Sequence, residues 1–292
     1  MENEDRVMPQ ITSLANSLEP RRCCSIDAGR ACAPISSRAF ACLLALLFAG
    51  SGAVTIVWCA SMSAMPGMPM PGGWTMSMAW MRMPQQTWLE FTASFIGMWV
   101  AMMAAMMLPC LAPMLHRYRQ SVGRTCGTRL GRLTALVTVA YFSVWSLCGL
   151  AVFSLGVAAA AIEMEQPAVA RAVPTAAAFV VFLAGALQFT KWKAHHLACC
   201  RESPARGHTP APDAGTAWRQ GVDFGVHCGL CCANLIAVLL VLGIMDLRAM
   251  AVVTAAITAE RLAPAGQYVA RAIGAVVVGL ALLLMVRATR LG

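Results

Sequence analysis

Long uncharged runs of apolar residues occupy most of this chain, with short charged segments between them. Over the 292 residues, 59% are hydrophobic and 12% are charged. A helix needs about 20 mostly apolar residues to cross a bilayer, and a soluble domain of this size could not keep so much apolar surface away from water. The sequence therefore predicts an all-α fold, a polytopic integral membrane protein built as a helical bundle.

Six of the runs are long enough to span a membrane. They cover residues 39–60, 91–115, 134–162, 172–190, 224–245 and 268–286. A further run, 249–259, has only eleven residues, which is too short to cross at 1.5 Å per residue. We expect a short re-entrant or interfacial helix there, a polar cytoplasmic tail over 1–37 and a membrane domain over 38–288.

The distribution of positive charge predicts the orientation in the membrane. The segment after the second run carries five arginines and no acidic residue, and the segment 191–222 is also basic. The positive-inside rule places both in the cytoplasm. Segment 61–88 is then an external loop, and both termini are cytoplasmic in a bacterial inner membrane. The net charge of +9 thus reflects topology, and no nucleic-acid partner is expected.

The most informative local pattern is a cysteine-rich stretch at the start of the fifth run. Cys228, Cys231 and Cys232 follow His227, and on a helix the three thiols share one face. Converging thiolates favour a soft metal ion of low coordination number. The alternative is that these cysteines pack as small hydrophobic residues.

Methionines, of which the chain has 20, are concentrated in two regions. In segment 61–88, interleaved prolines and glycines exclude a packed helical stripe. The thioether is a soft ligand that selects Cu(I) or Ag(I) over zinc. An apolar loop held at the membrane interface by tryptophans is the alternative. The candidate ligands there are Met62, Met65, Met68, Met70, Met76 and Met78.

A second methionine group lies inside the second run and recurs at helical spacing. Such stripes are usually core filler, but this one shares its predicted membrane depth with the cysteine stretch, so the two could face each other. Its members are Met102, Met103, Met106, Met107 and Cys110. A third candidate set, formed by His195, His196, Cys199 and Cys200, lies among basic residues that favour thiolate. A solvated basic loop end explains that set equally well.

Several motifs, in order, resemble the DUF2182 family of predicted metal-binding integral membrane proteins, some of which are described as copper chaperones. The resemblance covers about residues 88–286, and it implies metal binding. Where the family has a cysteine, this chain has His196, which preserves the capacity to bind metal. The motifs are Ala101–Pro109, Gln188–Thr190, Cys200-Arg201, Cys228-x-x-Cys231-Cys232, Gly243–Leu247 and Glu260–Pro264.

Together these patterns favour a non-enzymatic membrane protein that takes up, hands on or translocates Cu(I), with Ag(I) or Zn(II) as other possible ions. Its expected partners are the lipid bilayer, the metal ion and a periplasmic or membrane copper-accepting protein. Two alternatives stay open. One is a thiol-disulfide oxidoreductase that uses Cys228 and Cys231 with a quinone. The other is a structural subunit whose cysteines only pack.

Overall fold

The computed structural model describes residues 37–63, 67–122, 127–202 and 213–291. The expected tail, apart from its last residue, and the candidate ligand Met65 lie outside the described residues. The described elements are α1 (Ser37–Ser63), β1 (Met68–Met70), β2 (Trp74–Met76), a 3₁₀ turn (Met78–Trp80), α2 (Trp88–Ser121), α3 (Gly127–Glu165), α4 (Pro167–Leu187), α5 (Lys191–Glu202), α6 (Ala214–Leu242), α7 (Leu247–Leu262) and α8 (Gly266–Leu291).

The predicted fold class is confirmed, because the described residues form a helical protein with one two-stranded sheet. Six helices in this part of the chain are long and apolar enough to cross a membrane, namely α1, α2, α3, α4, α6 and α8. Helix α6 begins ten residues before the apolar run at 224, because Asp213 caps it and accepts a hydrogen bond from Thr216 N at 2.9 Å. Segment 191–222 accordingly contains α5 and the first turns of α6.

Part of the methionine-rich segment 61–88 folds into a hairpin. Met68 pairs with Met76, and Met70 pairs with Trp74. The turn uses Gly72 and Gly73, whose φ angles of 103° and 75° suit glycine. The Trp74 indole donates a hydrogen bond to a backbone carbonyl of α4 at 2.9 Å. The hairpin is therefore anchored on the helices.

Helices α4 and α8 run antiparallel. Gly274 on α8 packs against Gln188, just after α4, whereas Gly185 packs against Val278. Farther along, Val181 shares a cluster with Ala281. Residue numbers therefore decrease along α8 in the direction in which they increase along α4.

Helix α6 also runs antiparallel to α4, and hence parallel to α8. Asn234 Nδ2 donates to Ala184 O at 3.4 Å, and Val238 packs in the same cluster as Val181. Helix α7 must therefore carry the chain back between the two ends of the bundle. Its 16 residues cover about 24 Å at 1.5 Å per residue, which is less than the thickness of about 30 Å of a hydrocarbon layer.

Contacts of α1, α2 and α3 show in which direction α1 runs relative to α6 and α8. The Phe40 ring at the start of α1 lies 4.2 Å from Arg119 near the end of α2, so α1 and α2 are antiparallel. Gly221 and Gly225 of α6 pack against successive turns of α3, in parallel. Because α2 and α3 are antiparallel neighbours, α1, α3, α6 and α8 share one direction. The expectation that both termini are cytoplasmic stays a prediction, and the shared direction of α1 and α8 favours termini on opposite sides.

We predict that reporters fused before residue 37 and after residue 291 report opposite sides of the membrane. The parallel direction of α1 and α8 requires this. Paired fusions of a cytoplasmically active fluorescent protein and a periplasmically active phosphatase measure it. A fusion after Leu262 serves as control and should match the N-terminal fusion. Equal signals at the two termini would contradict the fold.

A buried ion pair joins the short helices to α6. Lys193 Nζ of α5 lies 2.7 Å from the Glu260 carboxylate of α7, and both side chains are almost fully buried. Lys193 also donates to Cys231 O at 2.6 Å, and Gln188 donates to Glu260 at 2.7 Å. Because buried charges require partners, this network holds α5, α6 and α7 in register.

We expect Glu260→Ala to destabilise the protein by about 3–5 kcal/mol, because it leaves the Lys193 charge buried without its carboxylate. Thermal unfolding of the purified protein in detergent measures the effect. The double variant Lys193→Met/Glu260→Met removes both charges and should recover much of the loss. If the double variant lost as much stability as the single variants Lys193→Met and Glu260→Met lose when their effects are added, the two charges would not be coupled.

Candidate metal centre

Cys228 lies at the centre of a buried group of sulfur and polar side chains. Its side chain is fully buried. Tyr141 OH donates a hydrogen bond to Cys228 Sγ at 3.0 Å, and Arg261 Nη1 donates to the same sulfur at 2.9 Å. The thioether sulfur of Met107 lies 3.8 Å away. Four helices, α2, α3, α6 and α7, thus meet at one thiol.

Close approach of α3 and α6 makes this arrangement possible. A Cβ atom at Gly221 would clash with Val137 O, and one at Gly225 would lie 2.9 Å from Val144. Only glycine permits these contacts. The two helices can therefore approach closely enough for Tyr141 to reach Cys228.

The other cysteines extend from Cys228 as a chain of contacts. The Cys228 side chain interacts with that of Cys232, Cys232 with Cys231, and Cys231 with Cys200. Cys200 Sγ also donates to His227 O at 3.3 Å. The structure therefore brings Cys200, predicted as part of a separate set, next to the cysteines of α6.

The described residues contain no group of three or more His, Cys, Asp or Glu side chains placed to hold a metal ion. Methionine sulfur can also bind a soft metal ion, and two donors are enough for two-coordinate binding. Because metal–thiolate bonds are about 2.3 Å long, two sulfurs on one ion lie up to about 4.6 Å apart. The Cys228–Met107 separation of 3.8 Å falls within that limit.

Imidazole groups lie at the outer end of the cysteine chain. The His196 and His227 rings are 6.4 Å apart, and His195 Nε2 is 3.6 Å from Cys199 Sγ. Among the residues that the structure describes, the buried Nδ1 of His196 has no hydrogen-bond partner. Burial, then the neighbouring His195 and His227, lowers the pKa of His196. Its imidazole is therefore neutral at neutral pH, the form that binds metal.

Burial and hydrogen bonding also affect the pKa of Cys200, the thiol that links the cysteines of α6 to the imidazole groups. A hydrogen bond to Cys231, followed by burial, raises the pKa of Cys200 above its ordinary value. Cys200 is therefore a protonated thiol in the absence of metal, and it must release its proton to become a thiolate ligand.

The α2 methionines divide between two faces. Met107 faces Cys228, whereas Met102 and Met106 line an apolar groove of about 830 Å³ between α1, α2 and α7. Met103 is fully buried in the core. Cys110 lies 3.9 Å from Thr258 Oγ1 on α7 and lines a separate cavity of about 270 Å³ with Cys200 and Arg261. These residues thus surround the centre without all converging on one point.

The methionines of segment 61–88 lie at the other end of α2. Cys110 is 22 residues beyond Trp88, about 33 Å along the helix axis. On the hairpin, Met68 and Met76 are cross-strand partners, and Met70 lies on the same face. Met76 is buried whereas Met68 is 38% exposed. Met62 and Met78 are half-buried.

Sequence reasoning missed Tyr141 and Arg261, which contact the sulfur of Cys228. Tyr141 lies in an ordinary apolar run and carries no local signal. Arg261 and Glu260 were recognised only as part of a family motif. Ionisable residues at the end of an apolar run are a signal for a functional site, and that signal could have identified both.

Comparison with known proteins agrees with this chemistry. Residues 96–284 match the family model PpoB2, described as a copper chaperone. No curated protein and no solved structure matches the chain. The matched segment covers well over half of the chain and includes Met107, Cys200, Cys228 and Arg261. The chain therefore belongs to this copper chaperone family, which is the DUF2182 family that its motifs indicated.

Proposed function

We propose that this protein is a membrane carrier of Cu(I) that holds the ion on sulfur inside the helix bundle and hands it on. The observation that carries the proposal is the contact between Cys228 and Met107, a thiolate-type and a thioether donor 3.8 Å apart in a fully buried site. Soft sulfur ligands of these two kinds favour Cu(I) over zinc.

The chain of thiols offers a route by which the ion reaches or leaves this site. Cys200, Cys231 and Cys232 interact with one another in sequence, and the series ends at Cys228. The half-buried imidazole of His196 and the thiol of Cys199 lie at the outer end of this chain. Exchange between neighbouring ligands moves an ion without nucleotide hydrolysis, so we propose a carrier and not an enzyme.

We place the protein in a bacterial inner membrane with α5 on the cytoplasmic side. The basic segments around α5 and between α2 and α3 support this orientation by the positive-inside rule. The cysteine chain then opens towards the cytoplasm, and the methionine hairpin lies outside. The partner that this geometry requires is a protein that accepts or supplies Cu(I) at one of these two faces.

We predict that Met107→Leu lowers the affinity for Cu(I) by about tenfold or more while leaving stability within about 1.5 kcal/mol, because leucine keeps the volume but removes the sulfur. Cys228→Ala should abolish tight binding. Titration of the purified protein with Cu(I) against a competing chelator measures both effects.

Two matched variants control for general damage. Met98→Leu changes a buried methionine of the same helix, and Cys148→Ala changes an exposed cysteine of α3. Both should bind Cu(I) as the wild type does. Unaltered affinity in Met107→Leu and Cys228→Ala would refute the proposed site. A Cys228–Cys231 disulfide without copper binding would instead favour the oxidoreductase.

The hairpin is proposed as the external copper-collecting surface, because Met68, Met70 and Met76 share one face. We predict that their simultaneous replacement by leucine slows copper loading of cells without changing the affinity of the purified core site. Copper content over time, measured by elemental analysis, tests this. Replacement of Met81 and Met83 by leucine is the matched control. Equal loading rates in both variants would remove the hairpin from the mechanism.

A further inference from the structure

Arg261 places a permanent positive charge among the sulfur ligands. It lies on α7, is 7% exposed, and donates from Nη1 to Cys228 Sγ at 2.9 Å. Its Nη2 lies 3.6 Å from Met114 Sδ, and the side chain also interacts with the thiol of Cys110. Both ends of the guanidinium fork therefore face sulfur.

This charge has no carboxylate partner within the described part of the chain. The neighbouring Glu260 is already bound by Lys193 and Gln188. A guanidinium does not lose its proton in proteins, and a buried cation is costly unless an anion balances it. The anion that Arg261 balances must therefore be carried by the sulfur ligands and whatever they bind.

A count of charges ranks the two kinds of ion. Thioether sulfurs are neutral, so Met107 and Met114 contribute no charge. With Cys228 as the thiolate of the proposed site, a monovalent ion gives a neutral centre beside Arg261. A divalent ion on the same ligands gives a centre of charge plus one, which places two positive charges side by side in a buried site.

Direct electrostatic repulsion between Arg261 and the bound ion also disfavours a divalent ion. The Coulomb energy between the guanidinium and the bound ion is proportional to the ion's charge, so a divalent ion experiences twice the repulsion of a monovalent one. A low-dielectric surrounding makes the difference larger. The fixed charge therefore disfavours Zn(II) more strongly than Cu(I).

We propose that Arg261 is a specificity-determining residue that makes the Cys228 centre select monovalent over divalent metal ions. The inference rests on the proposed Cu(I)-binding function and deepens it. Ligand softness already favours Cu(I), and Arg261 adds a selection by charge. This second selection is independent of the ligands themselves.

The test compares metal selectivity in the full-length protein purified in detergent. Cu(I) and Zn(II) affinities are measured by chelator competition for the wild type, Arg261→Met and Arg261→Lys. Arg271→Met, which removes an exposed arginine of α8, is the matched control. We expect the ratio of Zn(II) to Cu(I) affinity to rise in Arg261→Met by on the order of tenfold or more. Arg261→Lys and Arg271→Met should keep the wild-type ratio, since lysine retains the charge at the site.

The outcomes separate this inference from the proposed function. A wild-type protein that binds Cu(I), together with an unchanged ratio in Arg261→Met, would overturn the role of Arg261 alone. A wild-type protein that binds no Cu(I) would overturn the proposed function and this inference with it. If Arg261→Met does not yield folded protein, Arg261→Gln removes the same charge with a polar side chain, and the same rise in the ratio is expected.

Discussion

Charged groups inside an apolar helix bundle must be paired, and this requirement organises the described structure around α7. Lys193 and Glu260 form an ion pair that is almost inaccessible to solvent, and it joins α5, α6 and α7. Lys193 also binds the carbonyl of Cys231, so the pair holds the cysteine-bearing turn of α6 directly. Arg261, the next residue along α7, is thereby directed at Cys228. The same network that stabilises the short helices thus positions the candidate metal centre.

The centre combines soft donors from several helices with one fixed positive charge. Met107 comes from α2, Cys228 from α6 and Arg261 from α7, while Tyr141 of α3 completes the contacts to the thiol. The proposed carrier must release its ion as well as bind it. Weak thioether ligands and a chain of neighbouring thiols suit ligand exchange better than a closed set of three or four thiolates, which binds metal structurally.

The sequence predicted the class of fold and the copper-related family. The length and apolarity of each run identified the six long helices, and the spacing of Cys228, Cys231 and Cys232 indicated a soft-metal site. The grouping of donors was less accurate. Cys200 was assigned to a separate set but contacts Cys231, and the α2 methionines, treated as one stripe, divide between Cys228 and an apolar groove. The direction of α7 relative to its neighbours was not predicted, because length and apolarity do not determine how a short helix packs.

What the sequence determined by itself is therefore local: which segments are apolar enough to enter a membrane, and which residues can bind a soft ion. These properties depend on side-chain type and on spacing within one helix. The tertiary structure decided which donors meet, that α7 returns the chain across the bundle, and that Arg261 faces sulfur. Those outcomes depend on the rotation and depth of each helix, which are set by glycines that let α3 and α6 approach and by a buried ion pair between residues 67 positions apart.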